Sequence, residues 1–326
     1  MLWNTGDASR ARVRTSSHEC HNVPGLLRTW VVDRDGQGDF FQPYRPAEIK
    51  LWDSRSGRLL NTITNHQADV MGLAFTPDDR LLASASIDRT VRLWDVTTGQ
   101  QVEAFSEGVG EAGTLAISSD GDTLAAATTD EGIQTWSLSS RMPLHHFVHG
   151  ARVDRIAFAP IGDTLASGGR DGVVRIWDSK TGAVMHLLKQ LKHNPLVASL
   201  AFSPNGKMLA AGSTDKTIKV WEVESGREAL HLRGHQHVVN VVTFSPDGRL
   251  LASASVDSTI KLWNLAIGQE VGTLPGHRDG IFALAFMPDG ETLISGSRDR
   301  TMRFWHAPSW ADINAAASNR VPPTKE

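Results

Sequence analysis

Apolar residues along most of this chain occur in short runs of four to seven, separated by polar turn residues. The stretch from Val241 to Asn264 shows the unit: VVTFSP, a turn, RLLASAS, a second turn and IKLWN. Runs of this length that are rich in Val, Ile, Leu and Thr are typical of strands rather than helices. The pattern therefore predicts a chain of short β-strands.

A tryptophan closes the third strand of each unit, in segments such as VRLWD, VRIWD and IKLWN. These residues are Trp52, Trp94, Trp136, Trp177, Trp221, Trp263 and Trp305, at spacings of 42, 42, 41, 44, 42 and 42. A fixed period of this size indicates a repeat architecture. The repeat also accounts for most of the ten tryptophans in a chain with a single tyrosine.

A second marker, independent of tryptophan, supports the same count. A turn pair precedes each tryptophan by about fifteen residues: Asp35-Gly36, Asp78-Asp79, Asp120-Gly121, Ile161-Gly162, Asn205-Gly206, Asp247-Gly248 and Asp289-Gly290. Asp-Gly and Asn-Gly favour tight turns because they tolerate a positive φ. After several tryptophans a Thr-Gly or Ser-Gly turn leads into a further strand, which makes four strands per unit.

These residues, with Gly-His near the start and Trp-Asp at the end of each unit, resemble the WD40 repeat family in its bacterial type. The resemblance covers units 7–53, 57–95, 99–137, 141–178, 182–222, 226–264 and 268–306 and is weaker in those ending at Trp52 and Trp136. It implies an all-β, seven-bladed propeller of four-stranded antiparallel blades, formed by one domain over residues 1–306. Residues 307–326 are predicted to form a short helix and a disordered tail.

Closure of the ring is expected because an open stack of blades leaves apolar faces exposed at both ends. In the family, the outermost strand of the last blade comes from the start of the chain. The segment Ala11 to Thr15, ARVRT, stands at that place here. It is predicted to join the sheet that holds Trp305. The opening LWNTG echoes the end of a unit, which raises the hypothesis that the chain is the C-terminal part of a longer protein.

Histidine, aspartate and serine recur at fixed distances from the tryptophans. The resemblance implies structural tetrads of Trp, Ser or Thr, His and Asp, with the serine eight or ten residues before the tryptophan. The predicted members are His66, Asp88, Trp94, His149, Asp171, Trp177, His193, Asp215, Trp221, His235, Asp257, Trp263, His277, Asp299 and Trp305. A catalytic Ser-His-Asp triad needs one exposed site. A constellation repeated along the chain favours a structural role, so no catalytic residue is predicted.

Three other motifs favour loops over ligand sites. The GxGxxG run from Gly108 to Gly113 does not lie between a strand and a helix. The calcium-loop-like run from Asp33 to Asp39 has Tyr44 where a glutamate ligand is needed. Cys20 has no second cysteine with which to complete a structural zinc set. We therefore expect no metal and no cofactor.

Composition narrows the classes of partner. With 33 basic and 36 acidic residues the formal net charge is -3, which gives no polycationic surface for nucleic acid. The chain has neither an apolar run of membrane-spanning length nor the apolar run of a signal peptide near its start. We expect a cytoplasmic, monomeric protein without nucleic-acid or membrane partners.

The leading functional hypothesis is a non-enzymatic scaffold that binds a protein or peptide. By resemblance, the residue before each tetrad aspartate and those just after each tetrad histidine face the binding surface. These are Arg170, Arg298, Thr214, Arg152, His237, Arg278 and Asp279. Arginines are enriched in binding hot spots, so Arg170 and Arg298 are the leading candidates, with solvated turn residues as the alternative. A regulatory module of a Ser/Thr kinase or signalling NTPase and, less favoured, a propeller enzyme are the other classes considered.

Overall fold

The computed structural model describes residues 27–32, 47–53, 58–106, 114–128, 132–189 and 196–307. These residues form 26 β-strands and contain no α-helix, which confirms the all-β prediction. None of their elements is a helix long and apolar enough to cross a membrane. The predicted closing strand, the calcium-loop-like run, Cys20, the GxGxxG run, His193 and the predicted C-terminal helix lie outside the described residues.

The strands fall into seven antiparallel sheets, the blades, numbered here in chain order. Blade 1 contains β1 (Leu27–Val32), β2 (Ala47–Asp53) and β3 (Leu59–His66). Blade 2 contains β4 (Val70–Phe75), β5 (Leu81–Ser86), β6 (Val91–Asp95) and β7 (Gln101–Phe105). Blade 3 contains β8 (Thr114–Ile117), β9 (Thr123–Ala127), β10 (Gly132–Ser137) and β11 (Pro143–Val148).

The remaining blades repeat this order. Blade 4 contains β12 (Val153–Phe158), β13 (Thr164–Gly169), β14 (Val173–Asp178) and β15 (Val184–Lys189). Blade 5 contains β16 (Val197–Phe202), β17 (Met208–Ser213), β18 (Thr217–Glu222) and β19 (Glu228–Arg233). Blade 6 contains β20 (Val239–Phe244), β21 (Leu250–Ser255), β22 (Thr259–Asn264) and β23 (Gln269–Pro275). Blade 7 contains β24 (Ile281–Phe286), β25 (Thr292–Ser297) and β26 (Met302–His306).

Sequence units and blades are offset by one strand. The unit 226–264 supplies β19, which pairs with β18 of blade 5, and then forms the three inner strands of blade 6. Each of the six units from 57–95 to 268–306 therefore completes the blade before its own. This interlocking joins neighbouring blades through backbone hydrogen bonds as well as through side-chain packing.

Neighbouring blades pack through their innermost strands, since β4, β8, β12, β16, β20 and β24 contact one another in that order. Between blades 3 and 4, the ring of Trp177 meets Phe147 edge to face, with centroids 5.5 Å apart. Between blades 5 and 6 the approach is closer still. A Cβ on Gly212 would lie 2.8 Å from the carbonyl oxygen of Val239, so only glycine fits there.

The turn markers read from the sequence have the backbone geometry that they predicted. The second residue of the described turns has a positive φ in every case, at Asp79, Gly121, Gly162, Gly206, Gly248 and Gly290. Five of these residues are glycines, and the sixth is Asp79, with a φ of 58°. One of its carboxylate oxygens is also buried without a hydrogen-bond partner.

Asp79→Gly should raise the free energy of unfolding by about 1 kcal/mol, because glycine adopts a positive φ without the Cβ penalty. The hydrogen bond from the amide of residue 79 to Thr76 O, 2.9 Å, is kept. Gly248→Asp makes the reverse change in blade 6 and should lower the free energy of unfolding by a similar amount. Chemical denaturation of both variants measures the pair, and shifts of the same sign would contradict the strain argument.

Candidate interaction face and its supporting tetrads

Blade 6 shows how a tetrad is built. The indole N–H of Trp263 donates to Ser253 Oγ at 2.8 Å, and Ser253 Oγ lies 2.8 Å from His235 Nε2. The other ring nitrogen, Nδ1, lies 2.8 Å from Asp257 Oδ2. The hydroxyl of Thr259 donates to the second oxygen of Asp257 at 2.6 Å. Every buried polar group in this chain of side chains therefore has a partner.

Blades 2 and 7 repeat this geometry closely. The members are Trp94, Ser84, His66, Asp88 and Thr90 in blade 2, and Trp305, Ser295, His277, Asp299 and Thr301 in blade 7. In all three blades the serine ten residues before the tryptophan is the one used. The serine eight residues before it serves the backbone instead, as Ser86 Oγ does in donating to Ala68 O.

The threonine is a fifth member that the sequence analysis missed. It recurs four residues before the tryptophan as Thr90, Thr217, Thr259 and Thr301, which is a signal the spacing could have supplied. Burial alone would raise the pKa of the Asp257 carboxyl. The hydrogen bonds from His235, Thr259 and the Gln236 amide outweigh that effect and hold the pKa well below its usual range.

Blade 4 uses the same residue types in a different arrangement. Trp177 donates to Ser167 Oγ at 2.7 Å, but it is Nδ1 of His149 that lies against this hydroxyl, at 2.9 Å. Arg175 Nη1 lies 2.6 Å from the other ring nitrogen, Nε2, and donates to Asp171 Oδ2 at 2.9 Å. Since a guanidinium only donates, Nε2 accepts and the imidazole is neutral.

Two residues of blade 4 account for this change. Val173 occupies the position of the tetrad threonine, so no hydroxyl bridges the aspartate and histidine. Val184 occupies the position at which Glu228 and Glu270 bind the equivalent lysines of blades 5 and 6. Without an acidic partner at the outer strand, Arg175 turns inward to Asp171. Burial and this cation lower the pKa of His149 to about 4.

Blades 3 and 5 depart from the tetrad. Ala126 and Ala211 stand ten residues before Trp136 and Trp221, so neither blade has the serine hydroxyl at that position. In blade 5, Asp215 still accepts from Thr217 at 2.6 Å. Its other carboxylate oxygen is buried without a hydrogen-bond partner.

The tetrads hold two sets of loops together on one side of the propeller. The amides of Gln67, Gln236 and Arg278, each directly after a tetrad histidine, donate to the tetrad aspartates at 2.8 to 3.0 Å. We call this side the histidine face: the loops between an outer strand and the next innermost strand, and the turns that carry the tetrad aspartates. The opposite side, with the first–second and third–fourth strand turns, is the hairpin face.

The residues predicted to bind a partner lie on the histidine face, and three of them, Arg170, Thr214 and Arg298, occupy equivalent positions directly before an aspartate. The amide of Arg170 donates to Arg152 O at 2.9 Å, that of Thr214 to Leu196 O at 3.1 Å and that of Arg298 to Gly280 O at 2.9 Å. Their backbones are thus hydrogen-bonded. The side chains of Arg170 and Arg298 are exposed, while the hydroxyl of Thr214 accepts a hydrogen bond from the Leu196 amide at 2.9 Å. Among the predicted set, Arg170, Arg298, His237, Arg278 and Asp279 are exposed, and Thr214 and Arg152 are half-buried.

An aspartate that the sequence analysis did not single out joins two of these arginines. Asp154 pairs with Arg170 at 3.0 Å and with Arg152 at 3.4 Å. It is the extra residue of a β-bulge, since β12 shifts register against β13 between Val153 and Arg155. Bulges at the same place present Met71, Ala198, Asn240 and Phe282 in blades 2, 5, 6 and 7. These residues lie where the innermost strands reach the histidine face.

Comparison with known proteins agrees with this architecture. The family model of the WD domain, G-beta repeat, matches residues 57–95, 141–178, 185–222, 226–264 and 268–306, more than half of the chain. The chain belongs to the WD40 repeat family. The matched WD40 repeats include the four that supply the tetrads of blades 2, 4, 6 and 7.

Two curated relatives share part of this WD40 array. Periodic tryptophan protein 2 of Arabidopsis thaliana is 28% identical over 142 residues, which is 44% of this chain and 11% of the relative. The Periodic tryptophan protein 2 homolog of Mus musculus is 48% identical over 44 residues, 14% of this chain and 5% of the relative. The matched segments are thus a small part of these relatives.

The WD40 tetrads do not offer a catalytic serine. Ser84, Ser167 and Ser253 are fully buried and Ser295 is 1% exposed, so no substrate reaches these hydroxyls. A triad requires an accessible nucleophile. Within the described residues, no three His, Cys, Asp or Glu side chains are grouped so as to hold a metal ion.

His235→Ala should lower the free energy of unfolding by about 2 to 3 kcal/mol, because Ser253 and Asp257 each lose a buried hydrogen-bond partner and the imidazole leaves a cavity. Thermal and chemical denaturation measure the loss. His237→Ala is the matched control, since His237 is exposed two residues away and its removal should cost less than about 0.5 kcal/mol. Equal midpoints for the two variants would contradict the structural role of the tetrad.

The neutral His149 predicts a pH dependence. Its pKa is about 4 when folded and 6.5 ordinarily, so between these values the unfolded chain binds a proton that the folded chain excludes. Its contribution to stability is complete above pH 6.5 and decreases as the pH falls toward 4. The free energy of unfolding of the parent protein falls as the pH is lowered from 7 to about 4.5. In the His149→Gln variant this fall should be smaller by about 2 kcal/mol.

Denaturation curves across this pH range, with exposed His237→Gln as the control, check the expectation. The control should keep the pH slope of the parent protein. A parent slope retained in His149→Gln would contradict the neutral, buried state of His149.

Proposed function

We propose that this WD40 propeller is a non-enzymatic scaffold that binds a protein or peptide on its histidine face. The observation that carries the proposal is the arrangement of Arg170 and Arg298. Both side chains are exposed, yet both backbones are hydrogen-bonded to the neighbouring loop. A partner therefore meets charged side chains on a rigid frame.

Rigidity of this frame favours binding because little backbone entropy is lost when the complex forms. In blades 2, 6 and 7 the tetrads supply that rigidity by joining the loop after the histidine to the turn that carries the aspartate. Asp154 adds to it by fixing the guanidinium of Arg170 in an ion pair. Arginine is enriched among the hot spots of protein interfaces.

Replacing both Arg170 and Arg298 by Ala should abolish or strongly reduce partner capture from a native cell lysate, read out by quantitative mass spectrometry. Removal of two hot-spot arginines typically weakens binding by about tenfold or more. Neither residue belongs to a tetrad, so thermal denaturation should show a folded double variant.

Arg80→Ala with Arg249→Ala is the matched control. These arginines lie on the hairpin face, and their side chains are 84% and 86% exposed. Capture of the same partners by the parent protein and by both double variants would show that binding does not use Arg170 and Arg298.

A further inference from the structure

The near-neutral total charge conceals a difference between the two faces in blades 4 to 7. Outside the tetrads, the described residues of the histidine face there include three acidic side chains, Asp154, Asp215 and Asp279. The basic side chains are Arg152, Arg170, Lys216, Arg278, Arg298 and Arg300. This face therefore carries an excess of positive charge.

The hairpin face of the same blades has the opposite balance. Its described basic side chains are Lys180, Lys207, Arg227 and Arg249. Its acidic side chains are Asp163, Asp178, Glu222, Glu224, Asp247, Asp289 and Glu291. Several of its basic groups are also paired locally, as Lys180 is with Asp163 at 2.8 Å.

The tetrad aspartates do little to offset the positive charge of the histidine face. The side chains of Asp257 and Asp299 are 10% and 8% exposed, and their oxygens are taken up by tetrad hydrogen bonds. In blade 4, Arg175 also pairs directly with Asp171 at 2.9 Å. The exposed side chains therefore decide what a partner meets.

Along these four blades, the end blades carry charged residues at two paired backbone positions, and the two middle blades carry uncharged ones. At the two paired backbone positions, blade 4 has Arg170 and Arg152, and blade 7 has Arg298 and Gly280. The two blades between them have Thr214 with Leu196 and Val256 with Val238. Leu196 is 36% exposed, and both valines are partly exposed. At these paired positions, arginines thus flank four uncharged and largely apolar residues.

We propose that blades 4 to 7 bind a peptide segment in which acidic residues flank a short apolar stretch. This inference rests on the proposed function and names the chemistry of the partner. The acidic residues would pair with Arg170 and Arg152 at one end and with Arg298 at the other. The apolar stretch would cover Leu196, Val238 and Val256.

A peptide fits this surface better than a nucleic acid does. Asp154 lies between Arg152 and Arg170 and would repel a continuous phosphate backbone, and Asp279 adds a second acidic group near Arg298. Single-stranded nucleic acids are bound by a positive groove with aromatic stacking platforms. The stretch between the arginines offers leucine, valine and threonine instead.

Fluorescence anisotropy with synthetic labelled peptides tests the proposal. Three peptides of about nine residues share a Leu-Val-Leu centre and carry acidic, neutral or basic flanks; a fourth has acidic flanks around Ser-Gly-Ser. The acidic Leu-Val-Leu peptide should bind at least about tenfold more tightly than the other three. Its Kd should rise between about 50 mM and about 300 mM NaCl, because salt screens exposed ion pairs.

Charge reversal on the two faces locates the site. Arg170→Glu with Arg298→Glu should weaken binding of the acidic peptide at least about tenfold. Arg80→Glu with Arg249→Glu makes the same charge change on the hairpin face and should leave the Kd unchanged. Equal weakening by both double variants would show a non-specific charge effect and overturn the proposal.

Two further outcomes would also overturn it: equal binding of the acidic and basic peptides, or tighter binding of a single-stranded RNA of about twelve nucleotides. The proposed function fails separately. If the Arg170 and Arg298 alanine variant loses its captured partner while the peptides show no preference for charge, the interaction face stands and the acidic partner is wrong.

Discussion

The fold depends on keeping a chain of polar side chains satisfied inside each blade. Trp263 and Ser253 lie on two strands, His235 in the loop before β20 and Asp257 in the turn between β21 and β22, and each polar group would be costly to bury alone. Their hydrogen bonds form only when the strands are in register and the loop is closed over them. The same bonds that make burial tolerable therefore fix the position of the loop on the histidine face.

Blade 4 shows that the fold requires a hydrogen-bond partner for each buried polar group, but not one particular set of partners. With Val173 in place of threonine, the ring of His149 presents Nδ1 to the serine, and Arg175 fills the gap between histidine and aspartate. The serine, histidine and aspartate remain paired. The cost is a histidine kept neutral beside a cation, since burial and the Arg175 guanidinium both lower the pKa of His149.

Much of the fold was predictable because its determinants are local and repeated. The spacing of tryptophans gave the number of blades, and turn pairs such as Asp247-Gly248 gave a positive φ where the backbone has one. The site was less predictable. That Asp154 joins Arg152 to Arg170 depends on a bulge between two strands, and the inward turn of Arg175 depends on Val184 from a different strand. Such contacts need the register between strands, which residue spacing alone does not supply.

The division between constrained and unconstrained positions also explains where binding specificity can reside. Beside each tetrad aspartate, the preceding residue gives its backbone amide to the neighbouring loop and leaves its side chain outside the tetrad. The fold therefore accepts Arg170, Thr214, Val256 or Arg298 at this position with the backbone hydrogen bond kept, and the Thr214 hydroxyl accepts an additional one from the Leu196 amide. The shared backbone hydrogen bond does not depend on the side chain at this position. The requirements of the partner can therefore determine which side chains occupy it in blades 4 to 7.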